Sequence, residues 1–302
     1  MNATGTIQYL EYDKIDQQAW DRCIDNADNG LVYGYAAYLN HMSDHWDALV
    51  LDDYQAIMPL PFRKKFGIYY LYQPFLTAQL GLFGNELSGE LLKKFLESIP
   101  KKFKLWEFPL NHQNIFPFTG FSIYERKNFV LDLKPSFETI NRSYRENARR
   151  NIKKALQYGC YTKKGIEVGE VIQLAIEQNS NSKGFEDFTK LYSHFFSLGQ
   201  ANCFGVFSNQ HQLLASCAVL YTHKRVYYIL VGNHPNGRTL GASHLLIDSL
   251  VREHAGKDLL LDFEGSDIRN LAFFYSSFGA IEEKYAAIQL NRLPWYIRLF
   301  KK

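Results

Sequence analysis

The 302-residue chain has few cysteines and little net charge. Its four cysteines are scattered, with no Cys-x-x-Cys pair and no partnering histidine cluster, which argues against a zinc site and a disulfide framework. A net charge of +3 is too small to predict general DNA binding. We therefore expect no metal and no DNA partner, and reduced cysteines favour a cytoplasmic location.

The sequence also lacks a long aliphatic run. Its longest charge-free stretch, FGIYYLYQPFLTAQLGLFGN, is aromatic and is interrupted by Pro74 and several glycines, which is typical of paired strands. The first residues, MNATGTIQYLEYDK, lack the basic segment and apolar core of a signal peptide. These features predict a soluble protein without a transmembrane segment.

The same order of elements occurs twice along the chain. Residues 55–72 and 212–231 each contain an apolar run, a short basic turn and a second run with a Tyr-Tyr pair, which is a hairpin pattern. A further strand precedes each hairpin, and a helix and a strand follow it, ending near Glu107 and Glu264 respectively. This repetition predicts two copies of one domain, at residues 1–135 and 136–302.

A helix with a strongly basic face is predicted at the start of the second copy. Ser136 suits its beginning and Gly159 its end. Two interpretations stay open for the basic face, a solvated surface or a ridge that attracts phosphate. Its members are Arg142, Arg145, Arg149, Arg150, Lys153 and Lys154.

In the second copy, the segment GNHPNGRTLGAS connects the second hairpin strand to the following helix. Unpaired backbone N–H groups and the helix dipole make such a helix start an anion site, and a pyrophosphate would suit it. An ordinary β–α turn is the competing interpretation. The equivalent segment of the first copy is bulky and has no Arg, so we expect a donor site in the C-terminal copy alone. The predicted donor-binding residues are Val231, Arg238, Thr239, Gly241, Ala242 and Ser243.

Acidic residues follow the next strand, in LLLDFEGSDIRNLAFFYSSFGA. Because ligand sites concentrate where strands of open sheets end, Glu264 is the candidate general base. Tyr275 is either a packed helical residue or the acid that protonates a thiolate leaving group. Ser266 or Asp267 is expected to cap the helix that follows, which contains Tyr275.

These residues resemble the Gcn5-related N-acetyltransferase (GNAT) family. Arg238-Thr-Leu-Gly241-Ala-Ser243 matches the acyl-CoA signature Gln/Arg-x-x-Gly-x-Gly/Ala except for the final Ser, and Tyr275 to Gly279 matches its later Tyr-x-x-x-Gly pattern. The resemblance implies an α+β fold with two tandem GNAT-like domains, each a mixed, mainly antiparallel sheet flanked by helices. It also implies that two parallel strands separate to admit the pantetheine arm.

The two-copy arrangement and the segment RENARRNIKKALQYG resemble those of Fem-type peptidyltransferases. Those enzymes transfer amino acids from aminoacyl-tRNA to peptidoglycan precursors. They have Phe-Lys in the final helix, whereas this chain has Phe274-Tyr275, which lacks the fixed positive charge.

The leading hypothesis is an N-acyltransferase with acetyl-CoA or another acyl-CoA as co-substrate and a small-molecule or peptide amine as acceptor. The amine attacks directly, because no cysteine lies in an activating motif. The first alternative is a Fem-like transferase that uses aminoacyl-tRNA and acts on a peptidoglycan precursor or a peptide. The second is a binding protein with the same fold and no catalysis.

The last residues, LPWYIRLFKK, combine aromatic and basic side chains. This composition fits a weak contact with an anionic membrane surface, and a terminal strand or helix packed on the second domain is the competing interpretation.

Overall fold

A computed structural model describes residues 5–117, 120–177, 182–265 and 267–293. The chain divides into two units, one holding the residues up to Arg126 and those from Lys284 onward, the other Lys127–Glu283. The sequence placed a single boundary at 135/136. In the structure the first unit gives way to the second after Arg126, nine residues earlier. The chain enters the first unit again at Lys284, so the first unit consists of two separate segments of the sequence. Within the described ranges, no helix is long and apolar enough to cross a membrane.

The first unit is a mixed sheet with strand order β1-β2-β3-β4-β6-β13, and β5 pairs with β3. Its strands are β1 (Ile7–Leu10), β2 (His45–Leu51), β3 (Ala56–Lys65), β4 (Ile68–Tyr72), β5 (Phe83–Gly84), β6 (Phe103–Pro109) and most of β13 (Ile281–Asn291). Its helices are α1 (Gln17–Asn26), α2 (Ala36–Met42) and α3 (Gly89–Ser98).

The second unit has the strand order β7-β12-β11-β10-β9-β8. Its strands are β7 (Ser122–Asp132, from Lys127), β8 (Tyr161–Lys164), β9 (Ala201–Phe207), β10 (Leu213–Thr222), β11 (Arg225–Asn233) and β12 (Leu260–Asp262). Its helices are α4 (Phe137–Ser143), α5 (Glu146–Gln157), α6 (Val168–Ile176), α7 (Ser182–Ser197), α8 (Pro235–Leu240), α9 (Ala242–His254) and α10 (Arg269–Ser276).

The predicted duplication is present in the order of elements. The run β2-β3-β4-α3-β6 of the first unit has the same sequence of types as β9-β10-β11-α9-β12 of the second. In each run the two hairpins are antiparallel, and the strands on either side of the helix form a parallel pair, β4 with β6 and β11 with β12. The prediction of mixed, mainly antiparallel sheets flanked by helices is confirmed.

The buried core of each unit follows from the apolar faces of these elements. In the first unit, Leu92 and Phe95 of α3 lie in one cluster with Leu60 of β3 and Trp106 of β6. In the second unit, apolar side chains of α5 and α9 share a cluster with β10, β11 and β12. Burial of these side chains supplies the main driving force for each unit.

The predicted basic helix is two helices, α4 and α5, separated at Tyr144 and Arg145. Ser136 caps α4 as predicted, its hydroxyl accepting a hydrogen bond from Thr139 N. The break exposes the last carbonyls of α4, and Arg149 donates to the carbonyl oxygens of Asn141 and Arg142, at 3.2 and 2.7 Å. One member of the basic face is therefore used to close a helix end.

Candidate functional site

The parallel strands β11 and β12 of the second unit form only a short pair. They pair only from Arg225–Leu260 to Tyr227–Asp262, where β12 ends, while β11 continues to Asn233. The register between β10 and β11 shifts just beyond this stretch, because one residue of β10 (Val219) lies opposite two of β11 (Tyr228 and Ile229). Such a bulge bends the strand that contains the extra residue. β11 thus extends six residues beyond the end of β12, from Tyr228 to Asn233, and the opening between the two strands stays a prediction.

The loop that leaves β12 contains the candidate base Glu264. Glu264 and Gly265 both have positive backbone φ, 66° and 93°. The Glu264 N–H donates to Asp262 Oδ1 at 2.9 Å, and the Gly265 N–H donates to Asn128 Oδ1 at 2.6 Å. Two side chains thus hold the backbone on which Glu264 is mounted, and one carboxylate oxygen of Glu264 is buried.

Those two side chains belong to a buried charged network. Arg225 Nη1 donates to Asp262 Oδ2 at 2.8 Å, and Arg225 Nη2 donates to Glu283 Oε1 at 2.8 Å. Asn128 Nδ2 donates to Asp262 Oδ1 at 2.9 Å and to Glu283 Oε2 at 3.2 Å. Asn128 is fully buried, and Asp262 is 1% exposed. Burial lowers the pKa of Arg225, but Glu283 and Asp262 outweigh it and raise that pKa overall.

The second candidate residue, Tyr275 of α10, lies beside the same loop and is 8% exposed. Its ring stacks on Phe263, with centroids 4.4 Å apart and planes 17° apart. Burial and, secondly, the charge of Glu264 raise the pKa of the Tyr275 phenol. Tyr275 therefore packs directly against Phe263, the residue that precedes Glu264 in the loop.

Sequence reasoning missed Tyr228, which joins this group from β11. Its ring lies 6.0 Å from that of Phe263, at 76° between planes. Burial raises the pKa of Tyr228 strongly, and the charges of Cys217 and Tyr275 add to the shift. The Tyr-Tyr pair of the hairpin marks this position in the sequence, but the buried bulge that brings it near Tyr275 does not follow from that pattern.

The predicted bare turn between β11 and the next helix contains a short helix of its own, α8. Pro235 occupies its first turn, and the ring of His234 accepts from Asn236 N, so the local sequence favours a helix start. Gly241, with φ 82°, ends α8 and begins α9. The N–H groups of His244 and Leu245 bond to the Gly241 carbonyl, so those of Ala242 and Ser243 precede the ladder of α9.

The glycines of this segment contact protein. A Cβ atom at Gly232 would lie 2.8 Å from Leu174 Cβ, one at Gly237 would lie 2.3 Å from the Leu214 carbonyl oxygen, and one at Gly241 would lie 2.5 Å from the Asn151 carbonyl oxygen. The space that a side chain of Gly241 would need is therefore occupied by the backbone of α5, and its predicted role in donor binding stays a prediction. Its missing side chain allows α5 to pack against the start of α9.

The remaining predicted donor residues differ in exposure. Arg238 and Thr239 of α8 are exposed, and Val231 is half-buried in β11 opposite Cys217. Ala242 is buried, and the Ser243 hydroxyl donates to Asn233 Oδ1 at 2.6 Å, tying α9 to the end of β11. The structure thus gathers all six residues along the end of β11 and the start of α9.

His244 adds a neutral ring to the start of α9. Burial lowers its pKa to about 4. The ring packs edge-on against Phe274 at 4.8 Å, and its Nε2 lies 3.4 Å from Asn151 Nδ2. The start of α9 is thereby fixed against both α5 and α10 without an added charge.

The corresponding helix of the first unit begins differently. Ser88 caps α3 by accepting a hydrogen bond from Leu91 N at 3.1 Å. Gly241 has no side chain with which to cap α9. A capped helix start has one fewer N–H group to offer an anion, so the two helix starts differ; the donor site in the C-terminal copy alone stays a prediction.

The loop acids and the C-terminal tail are only partly described. The residue before α10 is Ile268, whose side chain makes no cap, and the Asp267 carboxylate accepts a hydrogen bond from Lys127 N at 3.0 Å. Ser266 and residues 294–302, with the predicted membrane-contact tail, lie outside the described residues. Among the described residues, no group of three His, Cys, Asp or Glu side chains has the arrangement of a metal site.

A cavity of about 870 Å³ lies in the first unit, which sequence reasoning did not anticipate. It covers the sheet face formed by β3, β4, β6, β7 and β13. Arg63, Lys65 and Arg126 give it positive charge and Glu107 a carboxylate, while tyrosines line its floor. The guanidinium of Arg63 lies 4.1 Å from the ring centre of Tyr72. Alternation in β4 and β6 gives the residues of this face, but nothing in the sequence indicates that a cavity lies over it.

No protein-family model and no curated protein sequence matches this chain. Solved structures do. The crystal structure of FemX is 13% identical, covers 98% of this chain and 100% of its own, and has a TM-score of 0.66. L-PGS from Bacillus licheniformis is 13% identical, with coverage of 94% and 95% and a TM-score of 0.58.

A tandem GNAT protein from the clavulanic acid biosynthesis pathway, in a structure without AcCoA, is 9% identical. It covers 96% of this chain and 99% of its own, with a TM-score of 0.54. At these identities the comparisons establish the fold. This chain therefore has the tandem GNAT fold of the Fem-like type, which confirms the predicted fold and resemblance.

Replacement of Gly241 by Ala tests why this glycine is needed. The positive φ costs an alanine about 1–2 kcal/mol, and contact with the Asn151 carbonyl adds about 1–3 kcal/mol of overpacking. Gly165→Ala is the matched control, because Gly165 has φ 74° and open space around its Cβ position. We expect urea unfolding to show a larger loss of stability for Gly241→Ala. Equal losses would contradict the packing role.

Proposed function

We propose that this protein is an N-acyltransferase that moves an acyl group, first of all acetyl, from acyl-CoA to a small-molecule or peptide amine. The observation that carries this proposal is the continuation of β11 beyond the end of β12 to Asn233, which accepts a hydrogen bond from Ser243 at the start of α9. A thioester arm placed between the strands would lie near Glu264 and Tyr275, and the phosphates would lie near Ala242 and Ser243. Similarity to a tandem GNAT protein whose structure is described as without AcCoA supports acetyl-CoA as the first donor to test.

The donor is held mainly by backbone. The N–H groups of Ala242 and Ser243 and the positive end of the α9 dipole attract the pyrophosphate. Arg238 is exposed one helical turn before Gly241 and adds a mobile positive charge. The edge of β11 beyond Tyr227 has no partner from β12, so its backbone groups are placed to pair with the amides of the pantetheine arm.

The transfer itself needs one base and one hydrogen-bond donor. Glu264 takes a proton from the amine, directly or through water, as the nitrogen attacks the thioester carbon and the carbon–sulfur bond breaks. Burial and the Glu264 charge raise the pKa of Tyr275, so its phenol stays protonated at neutral pH.

Thiols ionise near pH 8.5, so a thiolate is a poor base toward such a phenol. We therefore assign Tyr275 the role of donating a hydrogen bond to the leaving thiolate, which then takes its proton from water. This replaces the full proton transfer that the sequence suggested.

A second candidate function keeps the fold and changes the donor to aminoacyl-tRNA, with a peptidoglycan precursor or a peptide as acceptor. Two observations favour it: the similarity to FemX and the exposure of Arg142, Arg150 and Lys153 on α4 and α5. Arg149 closes α4 and Arg145 lies 5.4 Å from the ring of Phe273, so these two cations have structural contacts. The basic face available to RNA is correspondingly smaller than the sequence suggested.

Donor binding distinguishes the two functions. We expect calorimetric titration with acetyl-CoA and with free CoA to give one saturable site, and Arg238→Glu to weaken it at least tenfold by placing a negative charge near the pyrophosphate. Arg150→Glu is the matched control, since it makes the same charge change on the exposed face of α5. It should leave the CoA affinity unchanged.

The opposite pattern would favour tRNA. In that case Arg150→Glu would abolish binding of aminoacyl-tRNA, the affinity for tRNA would fall steeply with salt because of counterion release, and CoA would not bind at millimolar concentration. Absence of binding by either donor would leave a non-catalytic binding protein.

Variants at the candidate pair test the chemistry. Thiol release from acetyl-CoA is measured with a panel of peptide amines, lysine side chains, polyamines and amino sugars. Glu264→Gln should lower kcat about 10²–10⁴-fold through loss of the base. Tyr275→Phe should lower it roughly 10–100-fold through loss of a charge-assisted hydrogen bond. Acetyl-CoA affinity should stay unchanged in both, and full activity of the double variant would refute the assignment.

A further inference from the structure

The backbone at Glu264 adopts a conformation that its side chain disfavours. Several other non-glycine residues with positive φ, such as Tyr54, Phe66 and Lys224, lie in the turns of antiparallel hairpins, where the twist of the strands requires it, while Leu76 and Glu86 lie in loops of the first unit. Glu264 instead follows β12, whose partner β11 is parallel to it. Backbone strain retained at such a position indicates that the surroundings hold it there and that the side chain is used.

Two buried side chains impose this conformation. Asp262 Oδ1 accepts the Glu264 N–H at 2.9 Å, and Asn128 Oδ1 accepts the Gly265 N–H at 2.6 Å. Asp262 is in turn held by Arg225. The N–H groups of Glu264 and Gly265 thus hold the loop to two side chains that are buried in the second unit.

Of the two side chains that hold the loop, Asn128 is the neutral one. Its Oδ1 accepts from two backbone N–H groups, those of Phe129 at 2.8 Å and Gly265 at 2.6 Å. Its Nδ2 donates to two carboxylates, those of Asp262 and Glu283. All the hydrogen-bonding directions of the amide are therefore used, and no other side chain offers an acceptor and a twofold donor in that space.

We propose that Asn128 is a positioning residue for the general base: it fixes the loop from Phe263 to Gly265 so that the Glu264 carboxylate is held beside the Tyr275 phenol. This role rests on the proposed function of Glu264. Asn128 does not touch the reacting atoms, and its effect on the reaction passes through the backbone of residues 264 and 265. A displacement of the base by about 1 Å is enough to lower a rate by about two orders of magnitude.

The test compares Asn128→Ala with Asn114→Ala in the full-length chain. Asn114 is also fully buried, and its amide bonds to Leu82 N and to the Leu82 carbonyl in the first unit. Both variants lose a buried amide, and urea unfolding of each measures the general loss of stability. The measurement that reports on the position of Glu264 is the 13Cζ resonance of Tyr275, because this resonance senses the charge of the Glu264 carboxylate. The Tyr275→Phe variant assigns the resonance.

In the wild type we expect the Tyr275 resonance to move with pH as Glu264 ionises, and Glu264→Gln should abolish that movement. Asn128→Ala should reduce the amplitude at least twofold, while Asn114→Ala should keep it. An unchanged amplitude in Asn128→Ala would overturn the positioning role and leave the assignment of Glu264 untouched.

A double-variant cycle on kcat separates this inference from the proposed function. With the amine that gives the highest rate, Asn128→Ala should lower kcat about 10–100-fold and leave KM for acetyl-CoA within twofold. In the Glu264→Gln background the same change should have no further effect. An equal loss in both backgrounds would show that Asn128 acts by another route. If Glu264→Gln alone keeps full activity, the proposed base is wrong, and the positioning role falls with it.

Discussion

The buried ion network around Arg225 is the constraint on which the second unit depends. A guanidinium that is withdrawn from water must be paired, and Asp262 and Glu283 supply both partners. Asp262 closes the last pair between β11 and β12, so β12 ends at the residue that the network requires. Removal of one partner from such a network typically costs about 3–5 kcal/mol, because the remaining charge stays buried.

This constraint links the fold to the candidate chemistry. Once β12 has ended at Asp262, the chain turns through Glu264 and Gly265, and β11 continues alone toward α8 and α9. Because β11 and β12 are parallel neighbours, the segment that leads to α9 and the loop that carries Glu264 leave the sheet at the same ends of adjacent strands. The first unit repeats the order of elements, but Ser88 caps its α3, which shows how one fold can be kept while the site at a helix start is changed.

Local patterns in the sequence were sufficient for much of this architecture. Apolar runs joined by short basic turns predicted the hairpins of both units, Ser136 predicted the start of α4, and the Gly-rich segment predicted the start of α9. The tandem fold followed from motif resemblance. These features depend on neighbours within a few residues, and such patterns are visible in a single sequence.

Interactions between distant residues were not predictable in the same way. Asn128 bonds to Asp262 across 134 residues, and Arg225 bonds to Asp262 across 37 residues. The sequence also did not reveal that the backbone of α5 at Asn151 fills the space beside Gly241. A glycine that packs against protein and one that faces a ligand have the same letter, and only the three-dimensional contacts distinguish them.

The central claim is that the donor lies along the free edge of β11 and the start of α9, and amide hydrogen exchange with and without acetyl-CoA tests it most directly. The account predicts slower exchange at residues 228–233 and 241–245 when acetyl-CoA is present, and no change at residues 73–91 of the first unit. Slower exchange confined to the first unit, or none in the second at saturating acetyl-CoA, would contradict it.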